Sequence, residues 1–457
     1  VEALGACGQP AGGGLTMATG VIERRPVTRP ARRRDGSDRA RLRVVGGPTL
    51  ERDEPDGKAT TEPKRPVVRR LTTTAAARRD AAALTALVAA FCVFGLIVVL
   101  SASSVESIAA NGSPWSTAEH QGVWLALGAV VFVVAARLPL RFWRRIAVPF
   151  LLCTVVALAA VLVRGVGTVT AGSSRWINLG PFRLQPSEFA KFAVVLFVAD
   201  LIARRVCRSG PRADVMRPVL IVLGVLGILI VRQPDLGTAV VIAVIGAVLL
   251  YAAGAPFRKI LGMMGLCAVF GGAFLLIEPY GRARLATFWN PFAHASTTGY
   301  QVVQSLVTLG SGHWFGTGLG GSPAVWGFLP NANTDFVFAI IGNNFGLVGA
   351  IGVLCGFLAI GWLGIRIARR CEDRFASLVA IGVTTWIVFQ ALINIGGVIG
   401  AIPETGIPLP FVSAGGSSLV VLLAATGLLV RIARQPGVKT GSFAAERYER
   451  PHARSGR

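Results

Sequence analysis

The chain has 457 residues, 53% of them hydrophobic and only 15% charged, with a formal net charge of +23 and a mean hydropathy of +0.61. Water-soluble domains carry about 25% charged residues, so a soluble multidomain protein is excluded, and so is a wholly disordered one. The basic excess does not point to nucleic acid. It lies in the tails and in short segments between apolar runs, where membrane topology accounts for it.

Residues 1–80 hold 17 of the 46 Lys and Arg and 10 of the 23 Asp and Glu, with no apolar period. That is the composition of a disordered cytoplasmic tail. No cleavable signal peptide is expected, and the earliest methionine, Met17, is a candidate start. Ten apolar stretches follow, at 82–103, 121–138, 144–163, 187–205, 217–232, 236–253, 258–278, 335–366, 376–401 and 416–434. Each is close to the ~20 residues that cross a bilayer as a helix. Residues 435–457 make a second polar tail.

The basic clusters at Arg137–Arg145, Arg204–Arg217, Arg258–Lys259, Arg366–Arg374 and Arg431–Arg434 fall on the same side as the N-terminal tail, which the positive-inside rule makes the cytoplasm. The expected fold is all-α: a polytopic membrane protein with ten transmembrane helices, both termini cytoplasmic, and a transmembrane domain over 81–434. Its large extracellular loop, 279–334, joins the seventh and eighth stretches and far exceeds the ~2–8 residues usual between helices. Aromatic residues along it, among them Phe288, Trp289, Trp314, Phe315, Trp326 and Phe328, predict order at the membrane interface. The seven cysteines include no CxxC pair, so neither disulfides nor a metal site are expected.

Eleven carboxylates occur between 81 and 434. Asp214, Glu372 and Asp373 are cytoplasmic, and Asp200 has Arg204 as an i,i+4 partner one turn from the same side. The others gather at the external face. Asp335, in Leu329-Pro-Asn-Ala-Asn-Thr-Asp-Phe-Val-Phe, reads two ways. It is either a first-turn acid of the eighth helix with Thr334 as cap, or a general base beneath the long loop. Glu188 follows Pro186-Ser187, a pattern that resembles a helix start with Glu188 as its first-turn acid. Arg175, Arg183 and Lys191 put positive charge on the side the topology rule depletes, which suits a phosphate or pyrophosphate, or lipid headgroups without specificity. Arg232 and Asp235 share a tight turn and either pair with each other or face a ligand. Residues 403–418 hold three prolines and are expected to dip into the membrane as a broken stretch, tolerated only against protein or a cavity. Amides from Ser413 to Gly415 and Gly416 would then be offered to a ligand.

Together, Arg175-Trp-Ile with Gln185-Pro-Ser-Glu-x-x-Lys191, Gln233-Pro-Asp-Leu-Gly, Gly299-Tyr-Gln-x-x-Gln-Ser, Gly316-Thr-Gly-Leu-Gly, Leu329-Pro-x-x-x-Thr-Asp-Phe-x-Phe-Ala-Ile-Ile-Gly and Pro410-Phe-x-Ser-x-Gly-Gly-Ser-Ser resemble the SEDS family of FtsW, RodA and SpoVE over roughly 81–434. Leu100-Ser-Ala-Ser and Ile393-Asn-Ile-Gly lean toward an actinobacterial FtsW type. The resemblance implies a peptidoglycan glycosyltransferase that polymerises lipid II on the outer face of the cytoplasmic membrane, at the division septum. It would work with a class B penicillin-binding protein and other divisome proteins.

The family's essential aspartate maps onto Asp335, and its conserved tryptophan and charged positions onto Trp176, Glu188 and Lys191. On this reading Asp335 deprotonates the acceptor 4-hydroxyl. Arg175, Arg183, Lys191 and Arg232 meet the leaving pyrophosphate. Gln185, Ser187, Gln301, Gln304, Ser305, Thr334, Ser413, Gly415 and Gly416 shape the substrate sites. No cofactor is required, since the donor is already activated; a divalent cation on the pyrophosphate is chemically allowed. Asn343-Asn344-Phe-Gly stands where many FtsW proteins carry Glu-Glu-Leu-Gly, and Asn333 replaces a common histidine. These departures keep a noncatalytic scaffold open as a rival, beside a lipid II flippase.

Overall fold

The computed structural model describes residues 66–163, 167–170, 173–180, 182–209, 214–321 and 329–435. Both expected tails thus fall outside the described residues for most of their length, as do Trp326 and Phe328. Twelve α-helices are described: α1 (Pro66–Asn111), α2 (Ser116–Arg137), α3 (Leu140–Val161), α4 (Pro186–Ser209), α5 (Met216–Val231), α6 (Leu236–Ala252), α7 (Phe257–Ile277), α8 (Pro279–Trp289), α9 (Tyr300–Ser311), α10 (Val337–Arg370), α11 (Arg374–Val398) and α12 (Gly416–Ala433). Ten of them, all but α8 and α9, occupy the ten apolar stretches. Seven are long and apolar enough to cross a bilayer, while α5 and α6 are shorter and α4 carries buried charge.

Helix α1 corrects the boundary of the expected tail. It begins at Pro66 rather than after residue 80. Its Ala-rich stretch 75–83 favours helix, and Asp80 is tied to α10 through ion pairs with Arg366 (3.2 Å) and Arg370. On the same cytoplasmic side Asp200 pairs with Arg204 (2.8 Å), as its spacing predicts, and also with Arg144 of α3 (3.3 Å).

The packing is centred on α4, α11 and α12, with α2 against α12, α10 against α11, and α3 and α6 against α4. Trp386, Phe375 and Leu196 are among its fully enclosed side chains. Helix α7 touches mainly α6 and α8 and leaves most of its apolar surface uncovered. The helical reading omitted one feature. The external segment between α3 and α4 folds into a small antiparallel sheet, β1 (Gly167–Thr170), β2 (Ser173–Leu179) and β3 (Phe182–Leu184), in the order β1-β2-β3.

Helix α10 is continuous by sequence and broken in space. Gly346 sits at φ 67°, ψ −165°, a region open essentially to glycine alone. The break frees backbone groups inside the bundle, and the loop after α9 supplies partners for them. Leu347 N donates to His313 O (2.9 Å), and Val348 N to Trp314 O (3.2 Å). In return Thr317 N donates to Asn343 O (2.9 Å) and Gly318 N to Asn344 O (3.1 Å). The side chains join in: Asn343 Nδ2 donates to Thr308 O (3.1 Å), Thr317 Oγ1 donates to Asn343 Oδ1 (2.9 Å), and Asn344 Nδ2 donates to Ser101 Oγ (3.1 Å). Asn343-Asn344 therefore pins the external loop into the broken helix.

A Cβ on residue 346 would stand 2.5 Å from Gly316 N. Gly346→Ala is accordingly expected to cost about 1–3 kcal/mol, read as a lowered thermal unfolding midpoint and faster proteolysis of the 312–321 loop.

Candidate active site

Four external segments converge on Asp335. The aspartate lies in the turn that leads into α10, two residues before its first helical residue. The expectation that Thr334 caps this helix is corrected: the N-cap is Phe336, without a side-chain bond, and Thr334 Oγ1 donates to Asn331 O (3.3 Å). Asn331 turns the chain at φ 58°, which asparagine tolerates better than most residues.

The second segment, 399–415, is non-helical, as its prolines predict. It is packed in protein, with Ile407, Leu409, Phe411 and Val412 buried. Two bonds stitch it to the first segment. Ser413 Oγ donates to Thr334 O (2.6 Å) while accepting from Leu409 N (2.8 Å), and Ala414 N donates to Asn333 O (2.9 Å). Asn394 Nδ2 of α11 donates both to Asp335 O (2.8 Å) and to Ile407 O (2.8 Å). Replacing that amide, as in Asn394→Leu, leaves two carbonyls without their donor. It is expected to cost about 1–3 kcal/mol, measured as a drop in the unfolding midpoint.

Helix α8 supplies Arg284, the third contribution. Its guanidinium donates to Glu404 O (2.9 Å) and pairs with Glu404 Oε1 (3.5 Å). A Cβ on Gly406, which sits at φ +66°, would lie 3.8 Å from both Arg284 Nη2 and Asp335 Oδ2, so the cation and the aspartate flank one point. The fourth contribution is Arg175 of β2, whose guanidinium donates to Gln233 O (3.1 Å) and to Pro234 O in the turn between α5 and α6.

Among the described residues the Asp335 carboxylate itself has no hydrogen bond and no ion pair. Burial pushes it up from 3.8 to about 6. Glu404 reinforces the rise, Arg284 and Arg175 oppose it, and Asp235 adds to it. Glu404 is also raised, by burial, with Arg284 opposing. A carboxylate without a fixed partner and poised near neutrality has the character of a general base.

Below this layer the start of α4 is locked. Pro186 opens the helix and Glu188 stands in its first turn, as the sequence predicts. Lys191 is fully enclosed. It donates to Glu188 Oε1 (2.8 Å) and Gln390 Oε1 (2.7 Å) and lies 5.4 Å from the centre of the Trp386 ring. Gln390 Nε2 continues to Pro408 O (2.9 Å). Lys191 is therefore not a surface cation facing a pyrophosphate. Gln185 Nε2 donates to Ser187 Oγ (3.0 Å), and Ser187 Oγ to Asp235 Oδ2 (3.2 Å). Asp235 also caps α6 through Thr238 N (3.2 Å), so the expected alternative of an Arg232–Asp235 pair is not formed. Arg232 and Arg183 are exposed.

The remaining expected residues are more dispersed. Trp176 is half-buried in β2, opposite Thr168. On α9, Gln301 and Gln304 are half-buried, while Ser305 is buried and donates to Val398 O (3.1 Å). Ser413 N donates to Leu409 O (3.1 Å), so with Ala414 N already engaged, two of the amides expected to meet a ligand there, those of Ser413 and Ala414, are used within the fold. Gly415 is the N-cap of α12, and Gly416 opens the helix under the Trp124 ring. Four residues around Asp335 were not assigned from sequence: Arg284, Gln390, Asn394 and Glu404. The signal for two of them was present, since Gln390 and Asn394 are amides one turn apart in the apolar second half of α11.

The cell cycle protein family of FtsW, RodA and SpoVE matches residues 81–437. A probable peptidoglycan glycosyltransferase FtsW of Geobacter metallireducens is 36% identical over 339 residues, 74% of this chain and 90% of that protein. The probable peptidoglycan glycosyltransferase FtsW of Mycobacterium tuberculosis is 39% identical over 340 residues, 74% of this chain and 65% of that protein. Among solved structures, a chain from work on the structural coordination of polymerization and crosslinking by a peptidoglycan synthase complex aligns with a TM-score of 0.64 at 28% identity, covering 77% of this chain and 97% of that one. The rod shape determining protein RodA of Thermus thermophilus aligns with a TM-score of 0.57 at 27% identity, covering 77% and 96%.

Proposed function

The chain belongs to the FtsW, RodA and SpoVE family and is an integral membrane peptidoglycan glycosyltransferase; from that premise we propose that Asp335 is its general base and lipid II its substrate. The observation that carries the proposal is the Asp335 carboxylate, unpaired among the described residues and held by the backbone bonds of Asn394 and Ser413 beneath the external segments. Asp335 takes the proton from the 4-hydroxyl of an acceptor sugar as that oxygen bonds to the anomeric carbon of the donor. The bond from that carbon to the pyrophosphate oxygen breaks, and undecaprenyl pyrophosphate leaves with both bonding electrons. Arg183 and Arg232, exposed on the same face, meet the developing negative charge. Lys191 acts only through the architecture of α4. The step needs no resident cofactor, and any divalent cation would arrive on the substrate pyrophosphate. The division septum is the expected location, with a class B penicillin-binding protein and other divisome proteins as partners.

The test is purified lipid II offered to the full chain together with a penicillin-binding protein whose transpeptidase serine is blocked. Glycan strands support the proposal. Movement of fluorescent lipid II across vesicles without strands would make the protein a flippase. Binding of the partner with neither activity would make it a scaffold.

A further inference from the structure

We propose that Glu404 and Arg284 are positioning residues for Asp335: Glu404 holds the Arg284 guanidinium on itself and so leaves the Asp335 carboxylate free to accept a proton. The inference rests on the assignment of Asp335 as the base and extends it to the groups that control its charge. The geometry is specific. Arg284 Nη1 is 2.9 Å from the Glu404 carbonyl and Nη2 is 3.5 Å from Glu404 Oε1. The same Nη2 and Asp335 Oδ2 each lie 3.8 Å from the position a Cβ would take on Gly406.

Arg284 and Asp335 thus face the same Gly406, and the charge of the arginine bears on the carboxylate. A paired Asp335 would be a weaker base, because a cation beside a carboxylate favours its ionised form. An Asp335 with no cation nearby would be protonated too readily to act at neutral pH. The charged groups facing Asp335 are Glu404 from the 399–415 segment, Arg284 from α8, Arg175 from β2 and Asp235 from the turn between α5 and α6. Arg175 is held on two carbonyls and Asp235 on Thr238 N and Ser187 Oγ. Among these four, Glu404 and Arg284 are the two joined to each other as an ion pair.

The experiment is an infrared titration of the full chain in lipid nanodiscs. The protonated carboxyl band of Asp335 is identified by its loss in Asp335→Asn. Glu404→Gln keeps the side-chain shape, removes the like charge and loosens Arg284. Its Asp335 midpoint is expected to fall by about 1 pH unit or more. Arg284→Gln is expected to raise the midpoint, and the double variant to lie between the two. In the polymerisation assay the acid limb of kcat/KM should move in the same direction for each variant, and the Glu404→Gln plateau should drop several-fold, as expected for a weaker base.

Unchanged midpoints in Glu404→Gln would overturn the proposal, and that isosteric variant decides the matter if Arg284→Gln does not fold. Shifted midpoints in the variants, with a wild type that makes no glycan, would leave the charge coupling standing and defeat the glycosyltransferase assignment of the site. Glycan synthesis with unmoved midpoints would do the reverse.

Discussion

Asp335→Asn is expected to lower the rate of glycan polymerisation by about 10²–10⁴ while leaving the protein folded and bound to its partner. Asparagine is nearly isosteric, and the main-chain bond from Asn394 to residue 335 does not depend on the side chain. The carboxylate has no ion pair to lose among the described residues, so the substitution removes the proton acceptor and little else.

The wild type carries its own internal test. With Asp335 at about 6, the base is active only when ionised. The rate should therefore fall as pH drops through about 6 and level off above it, until another group titrates. Gel analysis of strands across pH values from about 5 to 8 would read this limb. A flat profile in wild type, or strands from Asp335→Asn at the wild-type rate, would remove Asp335 from the chemistry.

Lys191→Met is expected to destabilise the protein by about 3–5 kcal/mol, the cost of leaving a buried charge without its partner. Lys191 is wholly enclosed and its ammonium is shared between Glu188 and Gln390. Glu188 Oε2 already has no hydrogen-bond partner, so nothing in the described structure would compensate the carboxylate once the lysine is gone. The double variant Glu188→Gln/Lys191→Met removes both charges and should recover most of the loss, since neutral replacement of a buried pair is often tolerated. Thermal unfolding of the two variants in detergent micelles distinguishes the cases. If the single variant unfolded at the wild-type temperature, the pair would have to be hydrated rather than sealed. Activity should follow stability here, because Gln390 passes the restraint on to Pro408 in the segment bonded to the Asp335 turn.

The sequence by itself located the ten apolar stretches, each of which the structure shows as a helix, and its basic clusters set their expected orientation. Those features report the partition of short segments between lipid and water, and that partition depends on residues adjacent in the chain. The start of α4 was legible for the same reason: Pro186 and Glu188 act within one turn. Asp335 stood out only through the family resemblance, since a first-turn acid has the same local pattern as a base. Only the tertiary structure shows that α10 starts two residues later and that the carboxylate has no partner among the described residues, the setting that the proposed base requires.

The fate of the cations was likewise undetermined by spacing. Lys191 and Arg183 lie eight positions apart near one helix start, yet one is sealed against Gln390 from α11 and the other is exposed. The break at Gly346 was hidden because glycine in an apolar run is compatible with an unbroken helix. What makes it a break is the 313–318 loop, which supplies the missing backbone partners from outside the helix. Arg284 and Glu404 are 120 positions apart. Their pairing across Gly406 arises only when α8 and the 399–415 segment are folded over the same end of the bundle, because contact energies act between neighbours in space and not in sequence.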